Sequence, residues 1–379
     1  MVDLQRTRIE NVSDLDQLVC EGIKNITPYI AGKPLEELER EYGITGAVKL
    51  ASNENPLGPS PKAIEALLNH LHSIHRYPDA NSYKLKQMLA EKFDVPPDAI
   101  LPANGSNEII ELVLKTFLRP GGEVIVPEPS FSLYTKFTQA LDGVPIKAPL
   151  KEFSVDLEAM KEKIGPRTRI VIINNPNNPT GTIVRKTAFE QFIRSIPENI
   201  VIIVDEAYGE FVTDPDFPQG HHYLTDKPWV ITMKTFSKAY GLAGLRIGYG
   251  IAAPEIMHYL NRVRQPFNVN LLAQVAACAA LTDHDHVIKT LRTVNDGLHY
   301  FYQNLKQRNI EFIPTQANYL MIRVGKNSDT VYEALLKEGV IVRSLTSFGF
   351  HDYIRVSVGT PSENQRFIAS LDKVLHHCS

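Results

Sequence analysis

Five short apolar runs recur between helical patterns from about residue 50 to 285: Glu123-Val-Ile-Val126, Arg169-Ile-Val-Ile-Ile173, Val201-Ile-Ile-Val204, Val230-Ile-Thr-Met233 and Arg246-Ile-Gly-Tyr-Gly-Ile251. They are near-continuous and rich in β-branched residues rather than alternating, the pattern of parallel strands covered by helices on both faces. One connecting helix, Asn107 to Leu118, sets Ile109, Leu112, Val113 and Phe117 on a single face. The expectation is α/β with an open, largely parallel sheet.

At 379 residues the chain exceeds what one simple core needs, and two domains are expected. Residues 1–49 read as an N-terminal arm with a charged helical stretch, Lys33 to Tyr42, and 50–285 as the large domain. From 286 the pattern changes to a long helix, His286 to Gln307, then separate short strands (Tyr319–Arg323, Val340–Arg343, Tyr353–Val358) and a closing helix, Ser362 to His376. Residues 286–379 are therefore expected to form a smaller α+β domain, packed with the arm.

Composition excludes several classes. A net charge of −3 gives no electrostatic reason for a nucleic-acid or membrane partner. Cys20, Cys278 and Cys378 are scattered without a C-x-x-C pair, which argues against disulfides or structural zinc and fits a reducing compartment. No secretion-type leader and no membrane-spanning apolar run is visible, so a cytoplasmic protein is expected. The His221-His222, His284-Asp-His286 and His376-His377 groups lack metal-ligand spacing; no metal site is expected, and they read as solvated loop and terminal residues.

The chemistry concentrates after the strand-like runs, where open α/β sheets bind ligands. Thr235-Phe-Ser-Lys-Ala-Tyr-Gly-Leu-Ala-Gly-Leu-Arg246 sets Lys238 between two hydroxyls, Thr235 and Ser237, with Arg246 beyond, and small residues that admit a bulky anion. A lysine at the sheet's mouth beside phosphate-binding groups suggests a Schiff base with a phosphorylated aldehyde, pyridoxal phosphate. Asp205, after Val201–Val204, suits a pyridine nitrogen that must stay protonated, with Tyr208 near enough to bond the ring's phenolic oxygen. The turn Asn174-Asn-Pro-Asn-Asn-Pro-Thr-Gly181 can fix an asparagine amide, Asn178, against the same oxygen. Gly105, Ser106 and Asn107, ahead of a helix expected from about Glu108, offer N–H groups to a phosphate. Either Phe131 or Tyr134 can stack on the ring.

With these residues in place the chain resembles the fold-type I pyridoxal-phosphate aminotransferases, and within them the histidinol-phosphate aminotransferase subgroup. The resemblance rests on Leu50-Ala-Ser-Asn-Glu-Asn-Pro-Leu-Gly-Pro-Ser60, Arg76-Tyr-Pro78, Ala103-Asn-Gly-Ser-Asn-Glu108, Asn175-Pro-Asn-Asn-Pro-Thr-Gly181, Asp205-Glu-Ala-Tyr208 and Thr235-Phe-Ser-Lys238. It implies Lys238 as the Schiff-base lysine and proton carrier, Asp205 at the ring nitrogen, Asn178 and Tyr208 at the phenolic oxygen, and Tyr134 as the stacking aromatic. Gly105, Ser106, Asn107, Thr235, Ser237 and Arg246 would hold the phosphate, and Tyr77 would reach the neighbouring subunit's cofactor in a homodimer. Tyr29, Asn55, Arg343 and Arg355 would recognise substrate. The position often occupied by aspartate in the glycine loop carries Asn107, a neutral amide that still serves a phosphate. The implied reaction is ping-pong transamination from L-histidinol phosphate to 2-oxoglutarate. The alternatives are transamination of phenylalanine and tyrosine and, more remotely, a non-catalytic cofactor-binding regulator, against which the short, mixed-charge arm without a helix-turn-helix pattern argues.

Overall fold

A computed structural model describes residues 12–29, 32–227, 229–325 and 327–377, with the side chains of residues 12–14 and 376–377 outside the description. In chain order the strands are β1 (Val48–Lys49), β2 (Ile100–Ala103), β3 (Glu123–Glu128), β4 (Val144–Lys151), β5 (Ser154–Val155), β6 (Thr168–Asn174) and β7 (Val201–Asp205), followed by β8 (Val230–Thr235) and β9 (Gly248–Ile251). The remaining strands are β10 (Phe312–Ile313), β11 (Tyr319–Arg323), β12 (Val340–Ile341), β13 (Arg343–Ser344) and β14 (Tyr353–Ser357).

Eight strands form one sheet in the order β2-β9-β8-β7-β6-β3-β4-β5. The four inner pairings from β4 through β8 are parallel. Because successive strand residues face opposite sides, each apolar run feeds two cores. Val201 and Ile203 join Ile109, Val113, Val124 and Ile170 on one face. Ile202 and Val204 join Ile125, Val171, Phe189 and Phe192 on the other. Helices Ser106–Phe117 and Pro254–Val263 cover the first face, and Lys186–Ser195 covers the second.

Two expectations are corrected. Arg246 does not belong to a strand: it lies at φ +55°, after a short 3-10 turn, and the strand begins at Gly248. That strand also runs antiparallel to both β8 and β2. β2 and β4 are additional strands. β2 is an edge strand containing Pro102, and β4 is half-exposed with Pro145 and Pro149 within it, so neither shows an unbroken apolar run in the sequence.

A second, four-stranded sheet has the order β10-β11-β14-β13, all antiparallel. β1 from the arm pairs with β12, Val48 opposite Val340. The helices Leu35–Tyr42, His284–Gln307 and Pro361–His377 lie within two residues of their expected bounds. Among the described residues no helix is long and apolar enough to cross a membrane.

Candidate active site

The rim of the large sheet gathers the ends of five strands. Asn174 lies opposite Asp205 in the ladder, and Gly248 is opposite both Ala103 and Thr235. Every chemically loaded loop named from the sequence therefore leaves the sheet on one side, as the parallel connectivity requires.

Asp205 is 4% exposed. Its carboxylate accepts from the Tyr134 hydroxyl at 2.6 Å and from the Ala207 N–H at 3.0 Å. Burial raises its pKa to about 6, against the lowering effect of those two donors. Tyr134 is itself 1% exposed and packed among core residues. With its ring enclosed and its hydroxyl bonded to Asp205 it offers no open face, so the stacking role expected of it is corrected: it braces the Asp205 carboxylate. Phe131 is half-buried and stands edge-on to Tyr134, 5.5 Å between centroids.

Lys238 follows β8 by three residues, and its Nζ donates to the Ser52 carbonyl at 2.9 Å. The ammonium lies 5.6 Å from the Tyr208 ring centroid. Burial first, then the nearby Arg355 guanidinium, lowers its pKa to about 7. An ordinary lysine is almost wholly protonated at neutral pH; this one divides its population between ammonium and free amine.

Arg355 on β14 reaches the large sheet's rim. Its guanidinium donates to Asn178 Oδ1 at 2.5 Å and to the Ala51 carbonyl at 2.8 Å, and lies 5.2 Å from the Tyr319 ring centroid. Its Nε is buried and has no hydrogen-bond partner among the described residues. Because Asn178 Oδ1 is held by Arg355, its amide NH2 is turned away from that cation. Among the hydrogen bonds that pin the asparagine turn are Ser130 to Asn177 Oδ1 at 2.7 Å, Tyr319 to the Asn177 carbonyl at 2.7 Å, and the Asn178 N–H to Asn174 Oδ1 at 2.8 Å.

The anion-binding loop is also assembled. Gly105 caps the helix Ser106–Phe117 at φ +76°, ψ 165°, a conformation open to glycine. Ser106 and Asn107 open the helix, two residues earlier than expected, and their N–H groups lack intrahelical acceptors. Arg246 donates to Ser237 Oγ at 3.4 Å, and a Cβ on Gly105 would lie 2.7 Å from Arg246 Nη2. Thr235 Oγ1 accepts from the Ser237 N–H at 3.0 Å. Gly105, Ser237 and Arg246 thus form one cup with the helix N-terminus.

Four expected residues lie apart from this cluster or serve it differently. Tyr77 is 82% exposed and stacks on Phe267 at 4.5 Å. Tyr29 is exposed, with the Lys136 ammonium 5.9 Å from its ring centroid. Asn55 donates to the Ala239 carbonyl at 2.9 Å and to Thr290 at 3.2 Å, so it braces the segment after Lys238. Arg343 is half-buried and lies directly opposite Arg355 in the small sheet.

Sequence reasoning missed Asn53, whose amide donates to the Tyr208 hydroxyl at 2.8 Å. It also missed a buried ionic cluster behind Asp205, where Lys234 meets Glu206 at 3.1 Å and Glu210 at 3.3 Å. Lys234 and Glu206 alternate with neighbours that face the site, and a charged residue in a parallel strand was the available signal. His221, expected to be solvated, is 6% exposed, and burial lowers its pKa to about 3.

Residues 45–371 match the model of the family described as aminotransferase class I and II. The chain is 46% identical over 356 residues to histidinol-phosphate aminotransferase of Moorella thermoacetica, covering 94% of this chain and 92% of that one. It is 44% identical over 359 residues to histidinol-phosphate aminotransferase 2 of Carboxydothermus hydrogenoformans, with coverages of 94% and 99%. A crystal structure of histidinol-phosphate aminotransferase from Sinorhizobium meliloti, in complex with pyridoxal-5'-phosphate, is similar at a TM-score of 0.87 and 24% identity, covering 98% and 100%. That last likeness is one of fold.

Proposed function

The chain belongs to the class I and II aminotransferases, and on that premise we propose that it transfers the amino group of L-histidinol phosphate to 2-oxoglutarate. The products are imidazole acetol phosphate and L-glutamate, formed in two half-reactions in ping-pong order, in the cytoplasm. The observation that carries the reading is the Lys238 amine, its pKa lowered to about 7 and set at one rim with Asp205, Arg355 and an anion cup. The substrate follows the two relatives above.

Pyridoxal 5'-phosphate fits the residues present. At Gly105 the main chain comes so close to the Arg246 guanidinium that a Cβ would lie 2.7 Å from Nη2, which sets backbone N–H groups and a cation side by side for an anion. Asp205 is a buried carboxylate raised towards neutrality, the condition that a cationic ring nitrogen relieves. When bound, the cofactor supplies the electron sink for bond breaking at the substrate Cα.

The residues divide the remaining work. Lys238 would carry the cofactor, and its free amine would serve as the base that takes and returns the proton at the substrate Cα. Asp205 keeps the ring nitrogen protonated, with Tyr134 supporting it. Asn178 and Tyr208 donate to the phenolic oxygen. Gly105, Ser106, Asn107, Thr235, Ser237 and Arg246 bind the phosphate, the arginine by a charge-assisted pair.

Arg355 and Arg343 clamp the substrate anion, a phosphate in one half-reaction and a carboxylate in the other, both suited to a guanidinium fork. Tyr29 and Asn55 complete that pocket. Residues 50–285 form the cofactor-binding domain, and 286–379 with the arm 1–49 form the smaller one. The chain works as a homodimer in which Tyr77 reaches the neighbouring subunit's cofactor phosphate. The exposure of Ile74, Tyr77 and Phe267 supports such a contact, and a monomeric mass in solution would remove that role.

The substrate assignment is tested by kcat/KM for histidinol phosphate, phenylalanine and tyrosine on one preparation with 2-oxoglutarate. Histidinol phosphate is expected to lead. Faster turnover of both aromatic acids, by tenfold or more, would replace it with the aromatic transamination reading.

A further inference from the structure

We propose that Asn53 is a positioning residue that fixes the direction of the Tyr208 hydroxyl, so that the tyrosine's own proton points into the crevice. The inference rests on the proposed function, in which that proton is offered to the phenolic oxygen of the cofactor.

Asn53 is 1% exposed and sits at φ +54°, the left-handed region that asparagine tolerates better than most residues. Four hydrogen bonds hold it. Its main-chain N–H donates to Ser357 Oγ at 2.8 Å, and the Ser357 hydroxyl donates to Asn53 Oδ1 at 3.1 Å. Its carbonyl accepts from Asn318 Nδ2 at 3.0 Å, and its own Nδ2 donates to the Tyr208 hydroxyl oxygen at 2.8 Å.

Proton counting fixes the orientation of the amide. The Ser357 oxygen already receives a main-chain proton that cannot be redirected, so its own proton needs an acceptor, which Asn53 Oδ1 provides. Flipping the amide would set NH2 against Ser357 and strand that hydroxyl proton in a site where Ser357 is 3% exposed, an expensive arrangement. The NH2 group therefore faces Tyr208, and the tyrosine oxygen accepts. A phenol that accepts from Asn53 keeps its single proton for another partner.

The groups around Tyr208 leave that proton one useful direction. Tyr319 stands edge-on at 5.0 Å, and the Lys238 ammonium lies over the ring. Arg355, Asp205 and Tyr29 act on the hydroxyl through charge. Among the described residues Asn53 is its hydrogen-bond partner. The preceding residues add a reason for the strained backbone: Ser52 offers its carbonyl to Lys238 and Ala51 offers its own to Arg355. One short segment thus touches the amine, the guanidinium and the phenol together.

The test compares wild type, Asn53→Asp and Asn53→Gly as pyridoxal phosphate-loaded proteins, each also in a Tyr208→Phe background. Asn53→Asp keeps an acceptor for Ser357 but replaces the donor at Tyr208 by an acceptor, which draws the phenol proton inward. Asn53→Gly accepts the left-handed backbone and removes the amide; if it fails to fold, Asn53→Asp carries the test. For Asn53→Asp, kcat with histidinol phosphate is expected to fall about tenfold, with KM within about twofold. The pH midpoint of the visible absorbance should rise by about half a unit, since the phenolic oxygen loses donor strength. In the Tyr208→Phe background the same change should cost less than about twofold, because the phenol it acts through is gone. An unmoved midpoint, or full additivity with Tyr208→Phe, overturns the inference while leaving the proposed function intact. A wild type that develops no visible band with pyridoxal phosphate overturns both.

Discussion

Lys238 is a buried cation whose folded pKa, about 7, lies below the 10.5 of an ordinary lysine. Below pH 7 it is charged in both folded and unfolded chains, and folding bears the full cost of burying that charge. As pH rises from about 7 towards 10.5 the folded protein sheds the proton first, and the cost fades. Lys238→Met should therefore raise the thermal midpoint of the cofactor-free protein most at pH 6, less at pH 8 and least at pH 10. A gain of equal size at all three would mean that the amine is not held in a state that favours its neutral form. Local sequence indicated this lysine because small residues and hydroxyls surround it. It gave no means of choosing Asn53 over Asn55, two asparagines flanking one glutamate. What separates them is a left-handed backbone and partners some 300 positions away, such as Ser357.

Among the elements, the five apolar runs named from sequence correspond to β3, β6, β7, β8 and β9, because burial on both faces leaves a continuous apolar signal. β2 and β4 escaped notice because prolines interrupt their apolar runs, Pro102 in β2 and Pro145 and Pro149 in β4, and because β4 is half-exposed. The direction of β9 was not legible either: strand periodicity is the same for parallel and antiparallel neighbours. Arg246 was misplaced into that strand because a left-handed residue leaves no mark on hydrophobic patterning. The glycine loop before the helix Ser106–Phe117 was legible, because Asn-Gly-Ser ahead of an amphipathic run is a helix start with its donors exposed. Gly105→Ala should place a methyl 2.7 Å from Arg246 Nη2 in a backbone region essentially reserved for glycine. At a cost of about 1–3 kcal/mol, the dissociation constant for pyridoxal phosphate should rise by about tenfold or more. An unchanged constant would show that the cup does not hold the phosphate.

Across the whole molecule, the site joins segments that sequence could only name one at a time. Residues 51–53 meet Lys238, Tyr208, Arg355 and Ser357, and Tyr319 from the small sheet anchors the asparagine turn of the large one. The family motifs named residues that the fold brings to one rim, among them Asp205, Lys238 and Arg246. They did not predict that Tyr134 is buried with its hydroxyl on Asp205, since a tyrosine's ring and hydroxyl are equally available to packing. The central claim is that Lys238 alone carries the cofactor, and borohydride reduction of the pyridoxal phosphate-loaded chain tests it most directly by fixing the pyridoxyl group where it is attached. Peptide mass mapping should find that group on Lys238, with Lys238→Ala unlabelled. Stoichiometric labelling of another lysine, such as Lys234, would contradict the account.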